Sequence, residues 1–120
     1  MSDNIIKSKS FNFALKIIKI YQYLTLEKKE FVLSKQLLRS GTAIGALVRE
    51  AEQAESKLDF IHKLAIAQKE ANESDYWLEL LFKSEYLSET QYQSSKLDIV
   101  EISKIIASII ITSKQRIGKK

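Results

Sequence analysis

The chain contains no proline and three glycines in 120 residues, so very little in it interrupts an α-helix. Its apolar residues recur at spacings of three and four, which is the period of an amphipathic helix rather than of a strand. The β-branched run at residues 105–111 keeps this spacing within a pattern of about four turns, whereas strands average about 5–6 residues. The sequence therefore predicts an all-α fold.

Charged and polar turns divide the chain into four predicted helices. Their expected bounds are residues 9–26, 30–53, 59–84 and 88–117. Long helices joined by short turns pack as an antiparallel up-down four-helix bundle. A chain of this length forms a single domain. We therefore expect one four-helix-bundle domain over residues 1–120, with disordered ends at about 1–8 and 117–120.

Several polar residues are placed to cap these helices, because their side chains can accept hydrogen bonds from the first N–H groups. Ser8 or Ser10 can cap the first helix, and Ser56 with Asp59 marks the start of the third. Residues 88–91 (Ser-Glu-Thr-Gln) have the S-x-x-Q pattern of a capping box. We therefore expect the fourth helix to start at this box.

The first and the last predicted helices are apolar over most of their circumference. Their polar residues form one narrow stripe each: Asn12, Lys16, Lys19 and Gln22 in the first helix, and Glu101, Lys104, Ser108, Thr112 and Gln115 in the last. Such an apolar arc is wider than a core-facing stripe requires, and up-down topology makes the two helices neighbours. A monomer would leave an exposed apolar strip, which usually marks an interface. We therefore expect a homo-oligomer.

Positive charge is concentrated in the two terminal segments. Residues 1–26 hold four lysines against one aspartate, residues 102–120 hold five basic residues and no acid, and the segment between them holds 10 basic and 14 acidic residues. This distribution is either a solvated surface or a contact surface for nucleic-acid phosphates. The expected contacts are Lys16, Lys19, Lys104, Lys114 and Arg116, and the tyrosines that could stack on bases if exposed are Tyr21, Tyr23, Tyr86 and Tyr92.

Two glycines stand four residues apart in the second predicted helix. Gly41 and Gly45 do not form a phosphate-binding loop, because no Gly-Lys-Ser/Thr ending and no preceding strand accompany them. A membrane dimer motif needs a spanning segment of about 20 residues, and the longest charge-free stretches here have nine. We therefore expect Gly41 and Gly45 to serve helix packing, with Trp77 of the third helix as a core residue.

Charged residues of the second and third helices are expected to pair with one another. The second helix carries Arg39, Arg49 and Glu50, and the third carries Glu70 and Glu73 on the face of Trp77. Two carboxylates can support acid–base chemistry, but no second cluster or nucleophile completes a site. Ion pairing between helices is the favoured interpretation, and a shallow ligand groove is the alternative.

We expect no metal, no cofactor and no catalytic activity. His62 is the single histidine of the chain, whereas di-iron bundles need two Glu-x-x-His pairs. The chain has no cysteine and no apolar signal segment at its start. These features favour a soluble cytoplasmic protein without membrane contact.

Residues 36–81 resemble a known family. The segments LLRSGTAIG (37–45), REAEQAES (49–56), DFIHKL (59–64) and KEANESDYWLELL (69–81) together resemble the bacterial four-helix-bundle proteins encoded in intervening sequences of 23S ribosomal RNA genes. EISKIIASIIITSKQ (101–115) also fits, so the resemblance covers about residues 10–116. The chain departs from it at Leu47, where members of the family often carry asparagine. Leu47 cannot take part in a polar network there.

The resemblance implies an antiparallel four-helix bundle that assembles as a ring, expected to be a pentamer. It also implies kinship with the accessory proteins of diversity-generating retroelements, which bind nucleic acid and reverse transcriptase through basic surfaces. No defined catalytic activity comes with the family. Two functional hypotheses follow: a non-enzymatic oligomer that binds RNA or DNA by backbone electrostatics, or a protein–protein scaffold without direct nucleic-acid contact.

Overall fold

The computed structural model describes residues 2–118, with side chains from Ile5 onward. Four α-helices follow one another: α1 Ser2–Leu26, α2 Leu33–Glu52, α3 Lys57–Lys83 and α4 Glu89–Gly118. No strand occurs in these residues, so the predicted all-α class is confirmed. The molecule is a rod with extents of 54 × 22 × 20 Å. α1 packs against α2 and α4, and α3 packs against the same two helices.

Neighbouring helices run in opposite directions. In every neighbouring pair, the residue numbers of successive contacts rise along one helix and fall along the other. These contacts are Ser10–Gly45 and Ile17–Gly41 for α1 and α2, Arg39–Glu70 and Glu50–Lys63 for α2 and α3, Asp75–Lys96 and Phe82–Tyr92 for α3 and α4, and Lys9–Glu101 and Lys16–Asp98 for α1 and α4. The fold is the predicted antiparallel up-down bundle.

One face of each helix builds a continuous core along the rod. Its fully buried large side chains include Phe13, Ile17, Leu24, Leu37, Ile44, Leu64, Leu78, Leu81, Ile99, Ile102 and Ile106. A few buried polar groups interrupt this apolar interior. The hydroxyls of Ser40 and Ser74, both fully buried, lie 3.0 Å apart and link α2 to α3. This pairing satisfies the Ser74 hydroxyl in the interior, whereas the buried Ser95 hydroxyl of α4 has no partner among the described residues.

The capping residues predicted for α3 and α4 are confirmed by their hydrogen bonds, although α3 begins at Lys57, two residues before the predicted bound. The Ser56 side chain accepts a hydrogen bond from the backbone N–H of Asp59 at 3.0 Å. At α4, the Ser88 hydroxyl accepts from the Gln91 N–H at 3.1 Å, and the Gln91 side chain accepts from the Ser88 N–H at 2.8 Å. This reciprocal pair is a complete capping box.

The predicted start of α1 is wrong. The helix begins at Ser2, so residues 2–8 are helical rather than disordered, and neither Ser8 nor Ser10 is its cap. Ser10 is fully buried and donates its hydroxyl to the Lys7 carbonyl within the helix. The reason is the burial of Ile6, which extends the core face of α1 beyond the predicted start. At the other end α4 continues to Gly118, and Met1, Lys119 and Lys120 lie outside the described residues.

The second helix begins three residues later than predicted, because Glu30 caps it from outside. The Glu30 carboxylate is buried and accepts hydrogen bonds from the backbone N–H groups of Val32, Leu33 and Ser34 at 3.1, 2.9 and 2.7 Å. Burial alone raises the pKa of Glu30, but these N–H donors outweigh it and hold the pKa below its ordinary value of 4.5. Glu30 thus fixes the turn between α1 and α2.

The two helical glycines differ in how tightly α1 covers them. A methyl group added at Gly41 would lie 2.9 Å from Cγ1 and 3.0 Å from Cγ2 of Ile17. At Gly45 the nearest atom, the Ser10 carbonyl oxygen, is 3.4 Å away. Both glycines face α1, as the packing interpretation predicts. Only Gly41 lies so close to α1 that a methyl group would not fit without a shift of Ile17.

We expect alanine substitution to separate the two positions. Gly41→Ala forces Ile17 to move, so the free energy of unfolding should fall by about 1–2 kcal/mol after the gain in helix propensity is subtracted. At Gly45 the added methyl group fits against α1 without displacing a side chain. Gly45→Ala should therefore raise the free energy of unfolding by up to about 1 kcal/mol. Urea denaturation followed by circular dichroism measures both values. Equal effects at the two positions would contradict the close approach at Gly41.

Candidate interaction surfaces

α1 carries exposed apolar side chains on the side opposite its core residues. Phe11, Leu15 and Ile18 are 48%, 46% and 38% exposed, and spacings of four and three place them on one helix face. α4 carries a second exposed set, formed by Leu97, Val100 and Ile111. The apolar strips predicted for α1 and α4 are therefore present on the surface of the single chain. Several exposed apolar side chains on one helix face, as on α1, mark an interaction surface.

The lysines of α1 up to Lys16 form ion pairs within the chain. Lys16 Nζ lies 2.5 Å from Asp98 Oδ2 and 2.7 Å from the Ser94 hydroxyl, and Lys9 pairs with Glu101 at 3.1 Å. These two ion pairs bridge a groove of about 250 Å³ between α1 and α4. Lys16 was expected to contact nucleic acid; in the single chain its charge is paired with a carboxylate of α4, while its side chain remains partly exposed.

The other four expected nucleic-acid contacts are exposed but do not converge. Lys19, Lys104, Lys114 and Arg116 form no ion pair with any described residue. Lys114 and Arg116 stand two positions apart, which turns them about 200° from each other around α4. Lys19 lies near the level of Ser94, so about 30 Å of helix separates it from Arg116. One chain therefore offers dispersed cations rather than a single basic patch.

The tyrosines considered for base stacking are largely covered. Tyr92 is buried, and its ring stacks on Phe82 with the centroids 4.4 Å apart. Tyr21, Tyr23 and Tyr86 are half-buried. Tyr92 is therefore excluded as a stacking surface.

A polar cluster joins α2 and α3 at Arg39. Its guanidinium contacts Glu70 at 3.3 Å and also binds Glu73, to which the Trp77 indole N–H donates at 3.0 Å. The hydrogen bond from Trp77, then that from Arg39, lowers the pKa of Glu73, and the hydrogen bond to Glu73 raises the pKa of Arg39. The predicted pairing of Arg39 with Glu70 and Glu73 is present, on an open surface rather than in a deep pocket. Trp77 is half-buried: it lies against the core with its N–H directed outward.

Two other predicted partners behave differently. Glu50 pairs with Lys63 at 3.3 Å rather than with an arginine. The Arg49 guanidinium lies over the Phe11 ring, 5.2 Å from its centre, in a cation–π contact between α2 and α1. Arg49 therefore links helices through an aromatic ring, and it forms no ion pair with the side chains from Ile5 to Gly118.

His62 is exposed on α3. Within residues 2–118, no three histidine, aspartate or glutamate side chains lie together in a way that could hold a metal ion. None of the helices described above has the length and apolar character needed to cross a bilayer.

The sequence interpretation placed a charged turn between α1 and α2 at residues 27–30, but the turn extends to Val32. It assigned Phe31 and Val32 to the second helix, but both precede Leu33 and are exposed. The available signal was two consecutive lysines, Lys28 and Lys29, followed closely by two large apolar residues that lie outside the helical spacing.

The pKa of Glu73 gives a direct test of the polar cluster. Because this pKa is lowered, the cluster stabilises the fold fully above pH 4.5 and loses its contribution as the pH falls through the lower folded-state pKa. Trp77→Phe removes a neutral donor, and Arg39→Ala removes a donor together with its positive charge, so we expect the Glu73 pKa to rise in both variants. Carboxyl NMR titration measures it. An unchanged pKa in both variants would show that these contacts are absent in solution.

The chain was then compared with known proteins. The family model described as "23S rRNA-intervening sequence protein" matches residues 2–108. A solved structure at 1.70 Å resolution, of a protein with unknown function from the S23 ribosomal protein family of Bacteroides thetaiotaomicron VPI-5482, is 58% identical in sequence. It superposes with a TM-score of 0.91 over 92% of this chain and 98% of that chain. No curated protein matches the sequence.

Proposed function

The chain belongs to the family of 23S rRNA-intervening sequence proteins, and we propose that it is a non-enzymatic, cytoplasmic homo-oligomer that binds nucleic acid. The observation that carries this proposal is the surface of α4. This helix exposes apolar residues, such as Leu97 and Ile111, together with unpaired cations. The first group favours association of copies, and the second favours binding of phosphates.

The apolar strips of α1 and α4 support self-association. The strip of α1 (Phe11, Leu15 and Ile18) faces solvent in the single chain, as does the set on α4. Covering such groups contributes roughly 25 cal/mol per Å² of apolar area removed from water. A second copy is the simplest partner, because it is always present with the chain. A ring, which the family resemblance implies as a pentamer, would cover the strips of every copy.

The second half of α4 supports nucleic-acid binding. From residue 102 onward the helix holds no acidic side chain, and Lys104, Lys114 and Arg116 are exposed. Cations without carboxylate partners release the counterions of a phosphate backbone when they bind it. Because the cations of one chain are dispersed, useful affinity depends on several copies acting together. Such binding is sequence-tolerant and weakens with salt.

A protein–protein scaffold is the second candidate function. The observation that favours it is the internal pairing of Lys7, Lys9 and Lys16 with Glu52, Glu101 and Asp98. These pairs remove part of the basic charge, so the exposed apolar strips could instead hold another polypeptide. In that case charge reversal on α4 leaves all binding unchanged.

Self-association is tested by the mass in solution. We expect wild-type protein to elute as a multiple of its 13.8 kDa chain mass in size-exclusion chromatography with light scattering. Leu15→Glu places a charge in the α1 strip and should shift the mass toward the monomer, with the helical content unchanged. Asn72→Glu adds the same charge at an exposed position of α3 and serves as the control. A wild-type monomer at high concentration contradicts the proposal.

Nucleic-acid binding is tested by charge reversal and salt. We expect the affinity for a 23S rRNA fragment to fall at least about tenfold between about 50 and 200 mM salt. The double variant Lys114→Glu/Arg116→Glu should weaken binding and flatten this dependence, because fewer counterions are released. Lys57→Glu/Lys69→Glu, with the same charge change on α3, is the control. If the affinity changes neither with salt nor in either double variant, the electrostatic mechanism is ruled out. The protein–protein scaffold is then the remaining candidate function.

A further inference from the structure

The turn between α1 and α2 exposes three large apolar residues at one end of the rod. Leu26, Phe31 and Val32 are 68%, 58% and 71% exposed. They lie within seven consecutive residues, and the sequence between them includes Lys28 and Lys29. A short turn between two helices has no structural need for three apolar side chains directed into solvent.

This turn is held in one conformation by its own backbone. The Glu27 N–H donates to the Tyr23 carbonyl at 2.8 Å, and the Glu30 N–H donates to the Leu24 carbonyl at 2.9 Å. Lys29 takes the left-handed conformation, with φ of 55°, that ends α1. On the far side, the Glu30 carboxylate binds three N–H groups at the start of α2. Phe31 is thus presented on a fixed support, so binding to it costs little ordering of the backbone.

Phe31 differs from the other exposed aromatic residues in having a free ring. One face of the Phe11 ring contacts the Arg49 guanidinium, and the Tyr76 and Trp77 rings pack edge to face with their centroids 5.0 Å apart. Phe31 has no aromatic or cationic partner among the described side chains. Tyr76 is also flanked along α3 by Asp75 and Glu79, which would repel a phosphate backbone.

Three lysines lie within four residues of Phe31 in the sequence. Lys28 and Lys29 precede it, Lys35 follows in the first turn of α2, and all three are exposed without an ion pair to any described residue. Lys19 lies about 10 Å further back along α1. The acids of the turn itself are Glu27, which is exposed, and Glu30, whose carboxylate is turned onto the backbone of α2. The accessible charge of the turn is therefore predominantly positive. The turn between α3 and α4 at the same end of the rod adds exposed Lys83, Glu85 and Glu89.

We propose that this turn is a binding site for single-stranded nucleic acid, in which Phe31 stacks on an unpaired base and Lys28, Lys29 and Lys35 hold the flanking phosphates. A free aromatic ring among cations is the arrangement that sequence-tolerant single-strand binders use. In a duplex the bases are stacked on one another, so no base is available to stack on Phe31. The inference rests on the proposed nucleic-acid binding, and adds to it a preference for single strands and a contact site at the opposite end of the rod from Lys114 and Arg116.

The test compares a fluorescent oligouridylate of about 20 nucleotides with an RNA duplex of equal length, by anisotropy at fixed salt. Phe31→Ala should weaken binding of the single strand by about 5- to 100-fold and change duplex binding by less than about twofold. Phe31→Tyr keeps a stacking ring and should restore most of the single-strand affinity. Val32→Ala, an exposed neighbour that offers no ring, is the control and should bind both probes as wild type does.

A spectroscopic readout separates stacking from a structural role. In Phe31→Trp, oligouridylate should quench the added tryptophan emission relative to wild-type protein, whereas the duplex should not. The inference is overturned if Phe31→Ala binds the single strand as wild type does while Lys114→Glu/Arg116→Glu abolishes binding, since the proposed function then stands without this site. It is overturned together with the proposed function if wild-type protein binds neither probe at low salt. If Phe31→Ala weakens binding of the single strand and of the duplex equally, the inference is also rejected. Stacking on an unpaired base should weaken only the single-strand binding.

Discussion

The close approach of α1 to α2 at Gly41 determines how α1 is turned about its own axis. A side chain at position 41 would lie 2.9 Å from Ile17, so hydrogen at that position lets Ile17 enter the core. Once Ile17 is buried, helical spacing places Phe13 and Leu24 inside with it. The same geometry places Phe11, Leu15 and Ile18 outside. The apolar surface that we assign to self-association is therefore a consequence of one tight helix–helix contact.

Electrostatic contacts between helices then determine which cations remain available. Lys7, Lys9 and Lys16 are placed opposite acids of α2 and α4, and their charges are compensated within the chain. The second half of α4 holds no acid, so its cations remain open to a partner. The lysines of the turn after α1 remain available for another reason. The Glu30 carboxylate, which could pair with them, is occupied by backbone N–H groups. Two separate cationic regions result, one at each end of the rod.

Much of this fold follows from the sequence, because helical period, chain length and capping chemistry are local properties. The box formed by Ser88 and Gln91 could be anticipated from spacing alone. The pairing of Arg39 with Glu73 could be anticipated from opposite charges on two consecutive helices. Other features depend on what lies across the bundle. The pairing of Lys16 with Asp98 joins residues that are 82 positions apart. The cap provided by Glu30 depends on the path of a turn, and a helix that starts at Ser2 depends on a core that covers Ile6.

The central claim is that α1 turns Ile17 toward its own core and Leu15 toward a second copy. Isotope-filtered NMR on a mixture of ¹³C-labelled and unlabelled chains measures this directly, because it separates contacts within a chain from contacts between chains. The account predicts that Ile17 methyl groups contact Gly41 within the chain and that Leu15 methyl groups contact another copy. Contacts between copies at Ile17 and none at Leu15 would contradict it.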